Sequence, residues 1–198
     1  MGFRRRSTTK LEAVKNDLLK YVQNVQNVRN FNPHFFDRST RLVIHIWIMD
    51  WESYIEEEVH LHYWDHDDTC AFTTLSIVSD LFAVPLDSQV LDSALGMWGA
   101  GGHRAQCGLV EGALMFIGIL GSSRGMNRDQ VSGLCRSFAR GFEEQFGSLI
   151  CRELRSEGFA ADNPPHICED LSKRAVRYTT RFVADSFQME PKLPAKGR

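Results

Sequence analysis

Apolar residues recur at helical spacing along most of the chain. The first such stretch, residues 10–29, alternates steps of three and four between its apolar positions, which predicts an amphipathic helix with a heptad seam. The seam consists of Leu11, Val14, Leu18, Tyr21, Val25 and Val28. Two partners suit it: the rest of the same chain, or the same seam of a second copy in a homodimer.

The middle of the chain predicts further helices. Residues 42–49 have strand-like composition as well as helical spacing, so we leave that segment open, whereas residues 51–63 favour a helix. Asp68 or Thr69 can cap the next helix, which Pro85 follows. Its inward face is Ala71, Leu75, Val78 and Phe82, and a short helix follows within residues 87–98.

The second half repeats the helical pattern. A helix from about Cys107 places Val110, Leu114, Ile117 and Leu120 inward. Asn127 caps the clearest helix, which extends to residue 154. One face of that helix carries Val131, Cys135, Phe138, Phe142, Phe146 and Leu149. Pro164 and Pro165 open the last helix, with Glu169 and Asp170 in its first turn.

These elements predict an all-α fold, a compact helical bundle with an extra N-terminal amphipathic helix. We divide the chain into a helical arm and linker at residues 1–55, a helical domain at residues 56–187 and a polar, disordered tail at residues 188–198. With 198 residues, 43% of them hydrophobic, the chain suits one domain with an added arm.

The net charge and the hydropathy of the chain limit the classes of partner that it can bind. The formal net charge is −2, with charges of both signs mixed along the chain, which argues against nucleic-acid binding. No run approaches the roughly 18 apolar residues of a membrane span. The basic start of the chain leads into a charged amphipathic segment instead of the apolar core of an export signal. We therefore expect a cytoplasmic protein that binds no nucleic acid and no membrane.

The five cysteines carry the candidate chemistry. They contain no CxxC pair, which excludes a ribbon-type zinc site and a thioredoxin-like motif. Cys70, Cys107 and Cys168 fall at predicted helix starts, where free N–H groups stabilise a thiolate and lower its pKa. Cys151 falls towards the end of its predicted helix, beside arginines. Cys135 is in register with the phenylalanine face, which favours a small buried core residue.

Histidines and glycines add weaker candidates. His62, His66 and Cys70 are four residues apart, but the cap signal at Asp68 argues against one helix that presents all three. His103 and His166 lie close to Cys107 and Cys168 in sequence and are weak candidates for metal ligands or bases. No strand precedes the glycine loop at residues 96–103, so it does not predict dinucleotide binding. A cysteine cluster or cofactor could be the neighbour of this tight loop.

At these residues the sequence resembles the family of redox-active proteins named for its C…GCAxxG…C…C pattern. "CGLVEGALM" is similar to the CGAxxG signature, with Leu109 in place of its alanine. "DTCAFTTL", "FEEQFGSLICREL" and "PPHICEDL" resemble the other elements. The resemblance covers about residues 56–182 and implies the functional cysteines Cys70, Cys107, Cys151 and Cys168. Cys135 is additional to the pattern.

The resemblance implies a helical redox or metal protein and supplies no substrate. We expect the four cysteines to converge, either for thiol–disulfide chemistry or to hold an iron–sulfur cluster for electron transfer with an unknown redox partner. Zinc is an alternative ion for the same ligands. The glycines expected beside such a cofactor are Gly101, Gly102, Gly108 and Gly112. The competing hypothesis is a non-catalytic helical module, for metal binding or dimerisation, with structural cysteines.

Overall fold

The structure is a computed structural model that describes residues 50–155, 157–163 and 165–194. The predicted seam helix at residues 10–29 and the segment left open at 42–49 lie outside the described residues. Within the described ranges the chain forms seven helices and no strand, which confirms the all-α prediction. The helices are α1 (Trp51–Trp64), α2 (Cys70–Leu81), α3 (Ser88–Ala94), α4 (Gly108–Ser123), α5 (Arg128–Phe146), α6 (Cys151–Leu154) and α7 (Glu169–Phe187).

Side-chain caps fix where the helices begin. Asp50 accepts a hydrogen bond from the Ser53 N–H at 2.7 Å at the start of α1, and Thr69 caps α2 by accepting from the Phe72 N–H. Asn127 and Gln130 form a reciprocal capping box at the start of α5. The predicted caps Thr69 and Asn127 are therefore confirmed. Capping satisfies N–H groups that have no partner within the helix.

The core forms where α2 packs against α4, with α5 and α7 against α4 and α1 against α7. Its largest fully buried side chains include Leu75, Phe116, Phe138 and Phe142. Because α1 is already part of this packing, the domain begins before residue 56. The boundary predicted there would cut through α1.

The long helix predicted from Asn127 to residue 154 is two helices. α5 ends at Phe146, and Gly147 adopts the left-handed conformation with φ of 93°. This conformation commonly ends a helix and is least costly for glycine. An isolated antiparallel bridge then pairs Ile150 with Gln106 before α6 begins. Hence Cys151 starts a separate short helix, and its predicted place near the end of a long helix is wrong.

The segment after α7 differs from the predicted disordered tail as far as residue 194. The Lys192 N–H donates to the Leu81 carbonyl at 2.8 Å, and Met189 packs against the core. Residues 195–198 lie outside the described residues. None of the described helices is long and apolar enough to cross a membrane.

Candidate functional site

Helix starts position three of the four cysteines that the sequence singles out. Cys70 is the first residue of α2, directly after its cap Thr69. Cys107 and Cys168 are the N-cap residues of α4 and α7. These placements confirm the local setting predicted for the three residues.

A short backbone pairing positions the fourth cysteine. The Cys107 N–H donates to the Leu149 carbonyl at 2.8 Å, and the Cys151 N–H donates to the Ala105 carbonyl at 2.7 Å. These two bonds flank the bridge between Gln106 and Ile150. Cys107 and Cys151 are thus held in adjacent segments, although 43 residues, which include α4 and α5, lie between them in sequence.

The four thiols lie close enough for their charges to interact. A charge on Cys107, Cys168 or Cys151 would raise the pKa of Cys70. Cys151 and Cys168 act in the same way on Cys107, and Cys151 acts on Cys168. All six pairs are therefore coupled, and we call Cys70, Cys107, Cys151 and Cys168 the four-cysteine cluster. By contrast, burial raises the pKa of Cys135 and a hydrogen bond with its own backbone lowers it, and within the described residues no other cysteine acts on it. Cys135 is therefore separate from the four-cysteine cluster.

Two glycines of α4 allow the cluster to assemble. A Cβ at Gly108 would overlap the Cys70 sulfur and would lie 2.5 Å from the Met97 carbonyl oxygen. A Cβ at Gly112 would overlap the Ala71 carbonyl oxygen. Both glycines therefore permit α4 to lie directly against the start of α2, and the predicted close helix approach at Gly112 is confirmed.

The glycine loop between α3 and α4 touches the cluster at one point. A Cβ at Gly99 would lie 3.3 Å from the Cys151 sulfur. By contrast, a Cβ at Gly102 would meet the ring of Trp98 at 2.8 Å, and the Gly101 N–H donates to the Gly96 carbonyl. Gly101 and Gly102 thus contact the loop itself, and the cofactor role predicted for them stays a prediction.

Burial has the largest effect on the pKa of each thiol in the cluster, and it raises that pKa. It raises the pKa of Cys107 to about 12, and the backbone N–H groups of Leu109 and Val110 at the start of α4 oppose this shift. Burial also raises the pKa of Cys70, Cys151 and Cys168. We expected lowered values at the helix starts. Helix ends shift a charge only modestly, whereas removing a thiolate from water disfavours it strongly, so the cluster thiols are neutral at pH 7.

Two arginines and a tyrosine border the cluster, and the sequence indicates only one of them, Arg155, as a charge beside Cys151. Arg155 and Arg104 lower the pKa of Cys151 against the effect of burial, and Arg155 also acts on Cys168. The Tyr63 hydroxyl forms a hydrogen bond with Ser172 Oγ at 2.5 Å, and Ser172 Oγ donates to the Cys168 carbonyl at 2.9 Å. Tyr63 lies on the buried face of α1, so its place in the sequence indicates a core residue and not a neighbour of the cysteines.

The histidine candidates are either exposed or in contact with side chains outside the four-cysteine cluster. His103 is exposed in the glycine loop. The His166 ring packs against Trp64 and Tyr63, with ring centroids 4.8 and 5.6 Å apart. His62 Nδ1 is hydrogen-bonded at 2.7 Å to a carboxylate oxygen of Asp68, a residue that follows the end of α1. Within the described ranges, no group of three or more His, Cys, Asp or Glu side chains is arranged to hold a metal ion.

Residues 69–182, more than half of the chain, match the model of the family described as "Putative redox-active protein (C_GCAxxG_C_C)". The matched range contains all four residues of the four-cysteine cluster. No curated protein and no solved structure matches the chain.

Proposed function

The chain belongs to this family of redox-active proteins, and we propose that its four-cysteine cluster is the redox centre, as the ligand set of an iron–sulfur cluster that transfers electrons. The observation that carries the proposal is the mutual coupling of Cys70, Cys107, Cys151 and Cys168, from which Cys135 stands apart. Four thiolates are the usual ligands of such clusters.

The acidity of the thiols favours ligation over thiol–disulfide exchange. Exchange requires a thiolate as the attacking group, so proteins that use it lower the pKa of that cysteine. Here burial raises the pKa of every member of the cluster. A buried neutral thiol gives up its proton when a metal takes the proton's place. The raised pKa values therefore suit ligands better than nucleophiles.

The surroundings suit bound sulfur that carries negative charge. The positive charges of Arg155 and Arg104 act on Cys151, where they would offset part of the charge of four thiolates. The backbone N–H groups of Leu109 and Val110 act on Cys107 in the same direction. Charge and hydrogen bonding around the sulfurs are the means by which a protein sets the potential of an iron–sulfur cluster.

A single zinc ion is the alternative metal for the same four ligands, because four cysteine thiolates also form tetrahedral zinc sites. Among the described residues, no three of these side chains are already grouped as ligands of one ion. The metal analysis therefore measures zinc as well as iron.

The chain's own residues would hold the ligands in place. Gly108 and Gly112 keep α4 against α2, so that Cys70 and Cys107 stay together. The backbone pairing at Gln106 and Ile150 keeps Cys151 beside Cys107. When bound, the cluster would supply reversible one-electron transfer. Reversible disulfide formation by the same cysteines is the second candidate, because all of them are free thiols.

Iron and acid-labile sulfide analysis of anaerobically purified protein tests the proposal. We expect both elements in the protein, with a visible absorbance that dithionite bleaches and air restores. Iron-free protein that also fails anaerobic reconstitution would overturn the cluster. In that event, reversible loss of two or four free thiols on mild oxidation would identify disulfide chemistry. Absence of both would favour the non-catalytic helical module.

A further inference from the structure

Two arginine side chains converge on one aromatic ring beside the four-cysteine cluster. The guanidinium carbon of Arg104 lies 4.2 Å from the ring centroid of Phe159, and that of Arg155 lies 4.4 Å from it. Arg104 comes from the glycine loop, whereas Arg155 and Phe159 follow α6. Each cation is attracted to the ring, but the two positive charges repel each other across it. We call Arg104, Arg155 and Phe159 the arginine pair and its ring.

The described part of the chain supplies no carboxylate for this pair. Its ion pairs join other residues, chiefly Lys173, Arg177 and Arg181 of α7 with α1 and Glu169. Arg155 Nε is buried and has no hydrogen-bond partner among the described residues. Buried polar groups in folded proteins nearly always have a partner, so this guanidinium nitrogen is available to a bound anion or to an ordered water.

Two carboxyl groups within charge range of the cluster, those of Glu111 and Glu157, do not fill this role. Glu111 Oε2 is itself buried without a hydrogen-bond partner in the described residues. Burial raises the pKa of Glu111, and neither guanidinium opposes that shift. Glu157, two residues after Arg155, is exposed and forms no ion pair within the described ranges. Neither carboxylate therefore forms an ion pair with the two guanidinium groups, although Glu111 acts on the pKa of Cys151 and Glu157 acts on that of Cys168.

We propose that the arginine pair and its ring bind a small oxyanion, of the carboxylate or phosphate class, next to Cys151 and Cys168. Guanidinium groups bind such anions through paired, charge-assisted hydrogen bonds, and the ring of Phe159 holds the two groups in place. The site lies within charge range of Cys151, on which both arginines act, and of Cys168, on which Arg155 acts. A bound anion would thus lie beside the proposed redox centre.

Calorimetric titration of the reduced, metal-free full chain with inorganic phosphate, and separately with succinate, tests this site at constant ionic strength set with chloride. We expect saturable binding that Arg104→Gln and Arg155→Gln each weaken at least about tenfold. Arg155→Lys keeps the charge but loses the planar pair of donors, so it should also weaken binding. Arg152→Gln is the matched control. It removes the same charge from an exposed neighbour in α6 and should leave affinity within about twofold.

Two results would overturn the proposal: no saturable binding of either anion, or equal weakening by Arg152→Gln and Arg104→Gln. Arg104 is exposed, so its variant should fold even if Arg155→Gln does not, and circular dichroism checks both. Because the titration uses metal-free protein, its outcome is independent of whether the cysteines hold iron. Iron analysis in turn is unaffected by the absence of anion binding.

Discussion

Gly112→Ala tests the close contact between α4 and α2 on which the site depends. The new methyl group would lie 3.1 Å from the Cα and carbonyl carbon of Ala71 and would overlap the carbonyl oxygen. All three atoms are backbone, so a rotamer change cannot relieve the overlap. Overpacking costs about 1–3 kcal/mol, while replacing a helical glycine by alanine returns about 1 kcal/mol. We therefore expect a net loss of up to about 2 kcal/mol in unfolding free energy.

Gly118→Ala is the matched control, because it changes the same residue type in the same helix. A Cβ at Gly118 meets no described atom within 4 Å. This variant should gain up to about 1 kcal/mol from helix propensity alone. Urea unfolding of the reduced, metal-free variants should place Gly112→Ala about 1–3 kcal/mol below Gly118→Ala, which corresponds to a melting temperature several degrees lower. Equal stability of the two variants would refute the close approach.

Three further predictions concern single groups. Cys135→Ala should lower the unfolding free energy by about 1 kcal/mol in urea, because the thiol is a half-buried packing group; a loss above about 3 kcal/mol would contradict this role. Burial raises the pKa of Glu111, so its contribution to stability is present below the ordinary carboxyl pKa and is lost as the pH rises through the raised value. Glu111→Gln should thus gain stability relative to wild type between pH 4 and pH 7, and a pH-independent difference in urea unfolding would contradict the assignment. In metal-free reduced protein, iodoacetamide should label Cys151 before Cys107, since arginines oppose the pKa shift at Cys151 but not at Cys107, which is also the more buried of the two. Peptide mass spectrometry that finds Cys107 labelled first would contradict this reasoning.

Local sequence signals predicted the helices and where most of them begin. Thr69 and Asn127 cap as their side chains suggest, because capping depends on residues only two or three positions apart. The end of α5 was missed at Gly147. Apolar residues at helical spacing continue past this glycine to Leu149, so periodicity alone could not show that the chain turns there.

The sequence predicted which cysteines form the site better than it predicted the residues that surround them. Helix starts and the family pattern singled out the four cysteines that the fold brings together. Their raised pKa values depend on how much water the assembled fold excludes, which no local pattern reports. The convergence of Arg104 and Arg155 on Phe159 likewise results from the backbone pairing of segments distant in sequence.

The central claim is that four of the five cysteines form one centre. Its most direct test is the iron content of five single variants, each with one cysteine replaced by serine, after anaerobic reconstitution under identical conditions. We predict that Cys135→Ser retains the iron and acid-labile sulfide of the wild type, while substitution of any member of the four-cysteine cluster removes most of both. Loss of iron from Cys135→Ser, or full retention in one of the other four variants, would contradict the account.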